Sequence, residues 1–241
     1  MSMPNHIDGG AVERREGMQK SKEAPKPGKA RDKAYDSFTG HLLASDLRPG
    51  QFVSQRELVE LTGMPLGAIR ELIPRLEAEG LITTVPQRGM LIAPIDFQLV
   101  RDAYQYRLFL EKEAVAIYTA NAADEAIARL RETHEDILRK GEAGVNAPDF
   151  IAHAQACDWA LHETFIEAVG NQIIARSYQV NLLKIRLIRQ ELIGLDGRLI
   201  QTQTEHLEII SAIEARDPAL AAARVAEHIN RARNRIAGLP S

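Results

Sequence analysis

The sequence predicts a mostly α-helical protein, an N-terminal winged helix-turn-helix followed by an all-α bundle of six helices. Three observations predict it. Aromatic residues make up only 5% of the chain while Ala, Leu and Ile are frequent, which favours helices over a β-sandwich. Apolar residues after residue 96 recur at helical spacing in six long segments. Between residues 54 and 94, two short helical patterns across a Gly-containing turn are followed by two apolar runs joined by Pro86-Gln87-Arg88-Gly89.

Composition excludes several classes. A hydrophobic content of 45% and a charged content of 26% are ordinary for a globular chain, and 241 residues suffice for two modest domains with separate cores. No apolar run approaches the roughly 18 residues of a membrane span, and the polar N-terminus argues against a secretory signal. The single cysteine, Cys157, rules out an intrachain disulfide framework and fits a reducing compartment, so a cytoplasmic location is expected. The net charge of −3 gives no general attraction to nucleic acid. Residues 12–33 hold eight basic and four acidic side chains, whereas residues 34–95 hold five basic and seven acidic ones. A DNA-reading role for the second stretch therefore rests on where its arginines stand and on helix N-termini, not on its total charge.

Residues 1–31, rich in Gly, Pro, Lys and Glu, read as a disordered tail. A first helix is expected from Asp32 to Ser45, with Tyr35, Phe38, Leu42 and Leu43 on one face, ended by Pro49-Gly50. Ser54 and Glu57 form a capping box for a second helix to Leu61, and Gly63 suits the left-handed position after it. A third helix spans Leu66 to Glu79, with Ile69, Leu72, Ile73 and Leu76 as the buried stripe and Gly67 and Arg70 opposite; Pro74 inside it predicts a bend. Short strands at 81–85 and 90–93 complete a wing, with Gly89 permitting its tight tip. From Asp96, helices are expected at 96–121, 124–141, 148–169, 172–193, 199–215 and 218–237, the last capped by Asp217 with Pro218 in its first position. The expected domains are thus 32–95 and 96–241.

The residues of the first domain resemble the winged helix of GntR-type bacterial transcription regulators. The resemblance lies in Arg56 of SQREL, Arg70-Glu71 of the third helix, LEAEGLI at 76–82, and Arg88-Gly89. The family's Ser-Arg-Thr-Pro-Val-Arg stands here as Pro65-Leu66-Gly67-Ala68-Ile69-Arg70, so an arginine is replaced by Leu66. The resemblance implies double-stranded DNA as partner. It implies contacts from Arg56, Gly67, Arg70, Arg88 and Gly89, with Arg75 as a backbone or helix-surface contact.

Within the second domain, Asp158 and His162 lie four apart, one helical turn on one face. His206 and His228 lie 11 residues before and after Asp217, so a hairpin about that turn sets each roughly 16 Å along its helix and level with the other. One carboxylate and three imidazoles suit a divalent cation: zinc, nickel or manganese. Other readings of the same cluster are a metal-dependent hydrolase or a purely structural staple; no HExxH helix is present. His6, His41, His134 and His153 read as surface or internally satisfied residues. Residues 96–237 are similar to the FCD-type effector domain attached to many GntR regulators. Its metal-binding members carry Asp-x-x-x-His on one helix and a His on each of the last two, which Asp158, His162, His206 and His228 match. Zinc is then the first expectation. The resemblance further implies a homodimer and a small carboxylate bound beside the metal. Arg107, with Glu111 one turn on, is the candidate to grip that carboxylate, against an Arg107–Glu111 surface pair as the plain alternative. Arg186 and Arg189 are further candidates.

Overall fold

A computed structural model describes residues 27–192 and 198–237. Helix α1 (Pro27–Leu43) starts earlier than the predicted Asp32. Ala30 and Ala34 are buried, so the apolar stripe that begins at Tyr35 extends a turn further towards the N-terminus. The rest of the predicted tail, residues 1–26, lies outside the described residues.

The first domain is built from its caps. At the start of α2 (Gln55–Thr62) the Ser54 hydroxyl accepts from the Glu57 amide at 3.1 Å, and the Glu57 carboxylate accepts from the Ser54 amide at 2.7 Å. Two of the helix's orphan N–H groups are satisfied reciprocally. Gly63 ends it in the left-handed region, at φ 66°. Helix α3 (Leu66–Ala78) runs unbroken through Pro74, which lies exposed. Strands β1 (Phe52–Val53), β2 (Ile82–Val85) and β3 (Gly89–Ile92) form an antiparallel sheet in the order β1-β3-β2. Gly89 sits at φ +99°, and a Cβ there would stand 2.9 Å from the Val53 carbonyl oxygen, so the approach of β3 to β1 requires glycine. Phe38, Leu42, Leu58, Ile69, Leu72 and Leu76 fill the core between the helices and the sheet.

The second domain comprises α4 (Phe97–Asn121), α5 (Asp124–Glu142), α6 (Pro148–Ala168), α7 (Gln172–Leu192), α8 (Leu199–Glu214) and α9 (Pro218–Ala237). Helix α4 is central and packs against α6, α7, α8 and α9. The α8–α9 turn is pinned where Asp217 Oδ1 accepts from the Leu220 amide at 3.0 Å. Leu183 and Leu187 of α7 belong to the core of the first domain, so one helix is shared by both cores. No described helix is long and apolar enough to cross a membrane.

Candidate metal centre and effector cavity

Helix α6 supplies Asp158 and His162, and the α8–α9 hairpin brings His206 and His228 level with them. The four side chains are buried, and one ligand atom from each lies within 4.8 Å of the others. Asp158 Oδ1 is 3.2 Å from His206 Nε2 and 3.7 Å from His162 Nε2. Both of those Nε2 atoms are buried without a hydrogen-bond partner among the described residues. Unsatisfied ring nitrogens inside a core are costly, and converging on a carboxylate they are what a divalent cation completes. The donor set therefore fits a divalent cation.

Carboxylates behind two of the three imidazoles fix their orientation, whereas the Nδ1 of His206 is buried with no hydrogen-bond partner among the described residues. Glu111 Oε2 lies 2.7 Å from His162 Nδ1, and Glu205 Oε2 lies 2.8 Å from His228 Nδ1. Each leaves the ring's Nε2 facing inward, as second-row partners of metal-bound histidines do. Burial alone would raise the Glu111 carboxyl, but Arg107 and His162 beside it hold it well below the usual carboxylate range. The same contest at Asp158 ends the same way: burial pushes up, and Arg189 with the two histidines pushes further down. Burial, reinforced by neighbouring imidazoles, lowers His228 well below its ordinary value and also lowers His206. The centre thus combines an ionised Asp158 with imidazoles at His206 and His228 that stay neutral, the protonation state that ligation demands.

Beside the centre lies a cavity of about 80 Å³. Arg107, Arg189, Arg198 and Arg235 line it together with Asp158 and His228. Arg107 pairs with Glu111 at 2.5 Å, but the pair is buried rather than on the surface, and the arginine's Nη2 has no partner among the described residues. Arg186 does not line this cavity. It pairs with Glu163 at 3.2 Å, with Trp159 beneath its guanidinium, whereas Arg189, one turn on, reaches Asp158. Arg235 and Arg198 escaped the sequence reading. Arg235 follows His228 by seven residues, two turns along one helix face, and that spacing was a usable signal. Its Nη1 lies 2.9 Å from Glu205.

His134 is no surface residue. It is buried behind His206, ring centroids 5.1 Å apart, with Nδ1 2.6 Å from Gln203 Oε1. Burial and the neighbouring His206 lower it to about 4.

On the first domain, Arg56, Gly67, Arg70 and Arg88 are exposed. Arg56 pairs with Glu60 at 2.9 Å, Arg70 reaches Gln55 at 3.3 Å, and Arg88 lies over the Phe52 ring at 4.3 Å. Leu66 is exposed at the start of α3. Arg75 belongs elsewhere: its guanidinium lies over the Tyr35 ring at 3.6 Å, with Glu79 at 2.9 Å and Asp32 at 3.5 Å. Held by α1, it packs α1 on α3, with 38% of its side chain still exposed.

Comparison with known proteins agrees with both halves. The family model of bacterial regulatory proteins of the gntR family matches residues 30–92, and the FCD domain model matches residues 102–231. The Nta operon transcriptional regulator of Aminobacter aminovorans is 27% identical over 185 residues, covering 76% of this chain and 83% of the relative. The transcriptional repressor GlaR of Escherichia coli is 23% identical over 206 residues, covering 81% and 90%. Among solved structures, Escherichia coli McbR/YncC superposes with a TM-score of 0.68 at 18% identity, covering 87% of this chain and 97% of that one. A GntR regulator of Rhodococcus sp. RHA1 gives 0.69 at 14%, covering 89% and 100%. The shared fold thus extends from the winged helix through the helical bundle, and the chain belongs to the GntR family of transcription regulators, with an FCD effector domain and no enzymatic role.

Proposed function

We propose that this regulator binds a near-palindromic operator as a homodimer and senses a small carboxylate beside a divalent cation held by Asp158, His162, His206 and His228. One observation carries the sensing half. Two buried Nε2 atoms without a hydrogen-bond partner among the described residues face Asp158, and Arg107, whose Nη2 is likewise buried and partnerless there, lines the cavity next to them. The ion, when bound, supplies a fixed positive charge at the junction of α6, α8 and α9. Arg107 offers N–H donors to a carboxylate, and Glu111 holds the guanidinium in place.

Helix α7 supports a route from cavity to reading head. Arg189 pairs with Asp158, and two residues earlier Leu187 lies in the core of the first domain. Gln190 also bonds the Ser45 hydroxyl at the end of α1. A ligand that alters the Asp158–Arg189 contact would bias the pose of the heads, and with it DNA affinity, as a population shift. Exposed Arg56, Arg70 and Arg88 are the DNA contacts in this reading.

Selection from a random duplex pool with purified protein, followed by fluorescence anisotropy on the recovered sequence, tests it. The expected result is a near-palindromic site whose affinity changes when a carboxylate is added, with His206→Ala abolishing that response. Recovery of no preferred sequence, or an affinity indifferent to every organic acid tried, would overturn the proposal.

A further inference from the structure

Each buried carboxylate of the centre has an arginine of its own: Glu111 has Arg107, Glu205 has Arg235, and Asp158 has Arg189. Arg231, at 3.9 Å from Glu205, is a looser and more exposed neighbour. At close range, charge is thus balanced pair by pair. The carboxylates differ in position. Glu111 and Glu205 lie behind imidazoles, whereas Asp158 turns Oδ1 towards His206 and His162 and gives Oδ2 to Arg189. Asp158 is therefore claimed both by an arginine and by the cation that its neighbours fit. The arginines differ as well. The side chains of Arg107 and Arg235 are 3% and 12% exposed, but that of Arg189 is 28% exposed, and its guanidinium lies over the Trp159 ring at 4.4 Å.

A divalent cation among these imidazoles brings two positive charges that the close pairs leave without an offset, and it shares one carboxylate with a third. Like charges so placed repel strongly where water is withdrawn. Arg107 and Arg235 are enclosed, and the glutamates that hold them stand behind the ring nitrogens. Arg189 has water beside it. We infer that Arg189 competes with the cation for Asp158 and gives way when the cation binds, so that it limits the metal affinity of the centre. The consequence reaches the first domain. Arg189 ties α7 to α6, while Leu187 of the same helix lies in the core of the first domain and Gln190 bonds Ser45. Release therefore loosens α7 from α6 next to the residues that carry the reading head. The inference rests on the metal reading above and deepens it, naming the cation itself as a signal.

Zinc titration of the full-length protein against a competing chelator tests it. Arg189→Gln keeps a hydrogen-bond donor for Asp158 and removes the charge, and it is expected to bind zinc about tenfold or more tighter than the unaltered chain. Arg189→Lys keeps the charge and should stay near the unaltered affinity. A residue that merely orients Asp158 gives the opposite sign, a loss of about 10–100-fold in Arg189→Gln. That loss, or an unchanged affinity, would overturn the inference. Trp159, the sole tryptophan of the chain, supplies a second readout in the unaltered protein. Its emission should change in step with zinc occupancy as the guanidinium above it moves. The change should vanish in Arg189→Gln and persist in Arg186→Gln, whose guanidinium lies 5.4 Å from the same ring. Emission indifferent to bound zinc would overturn the displacement even if Arg189→Gln failed to fold, and so would a change that survives that substitution. Absence of zinc binding by the unaltered chain would overturn the metal reading as well.

Discussion

Glu111 Oε2 lies 2.7 Å from Nδ1 of His162, and both side chains are wholly withdrawn from water. The same carboxylate receives the Arg107 guanidinium and the Tyr178 hydroxyl, so one buried anion orients a candidate metal ligand and a candidate effector ligand at once. Glu205 repeats the arrangement with His228 and Arg235. The candidate metal ligands and the cavity arginines thus share their counter-charges.

Replacing Glu111 by Gln should therefore weaken both functions. Loss of an outer-row partner lowers metal affinity by about 10–100-fold. It also strands the buried Arg107 charge, which costs about 3–5 kcal/mol when one partner of a buried pair is removed. Zinc titration against a competing chelator and urea denaturation measure the two effects separately.

Stripping the metal should soften the helical domain. An ion at a thousandfold excess over its Kd adds about 4 kcal/mol to folding stability by mass action. Melting followed by circular dichroism, with and without a chelator, should show the loss and its recovery on adding zinc. The His206→Ala variant should melt alike in both conditions.

The metal-free protein should weaken in mild acid. Burial holds His134 at about 4 in the folded chain, against an ordinary 6.5. The unfolded chain takes up that proton first, so stability is full above about pH 6.5 and falls as pH drops, with the loss complete near pH 4. For this one group the loss approaches about 3 kcal/mol. His206 and His228 shift in the same direction and steepen the slope. Melting temperatures recorded between pH 7.5 and 4.5 in chelator check it; His134→Gln should flatten the curve.

Arg70→Ala should reduce affinity for the selected operator without changing the fold, since the side chain is exposed and, among the described residues, bonds only Gln55. Loss of a phosphate contact lowers the slope of log K against log salt by about one, whereas loss of a base contact costs about 1–3 kcal/mol at one position of the site. Anisotropy titrations over a salt series distinguish these. Arg75→Ala should instead destabilise the first domain through its lost contacts with Tyr35 and Glu79.

Gly89→Ala should destabilise the wing by about 1–3 kcal/mol, because its positive φ and the Val53 carbonyl both resist a Cβ. A lowered melting temperature of the DNA-binding half is the expected readout.

Much of this molecule was decided locally and could be read in one dimension. Caps at Ser54 and Asp217, the turn at Gly63, the apolar stripe of α3 and the i,i+4 pair Asp158–His162 depend on neighbours within a turn or two, and the structure has them where the pattern put them. Even the level placement of His206 and His228 followed from equal distances along a hairpin. What no local pattern could decide was which side of a helix meets another. Arg186 and Arg189 look alike in sequence, yet only Arg189 reaches Asp158, because α6 packs on α7 in one register. Arg75 was drawn to Tyr35 by α1, and His134 was buried by α8. Whether a charge faces water or a carboxylate depends on the packing of surfaces far apart in the chain, and desolvation then sets its energy.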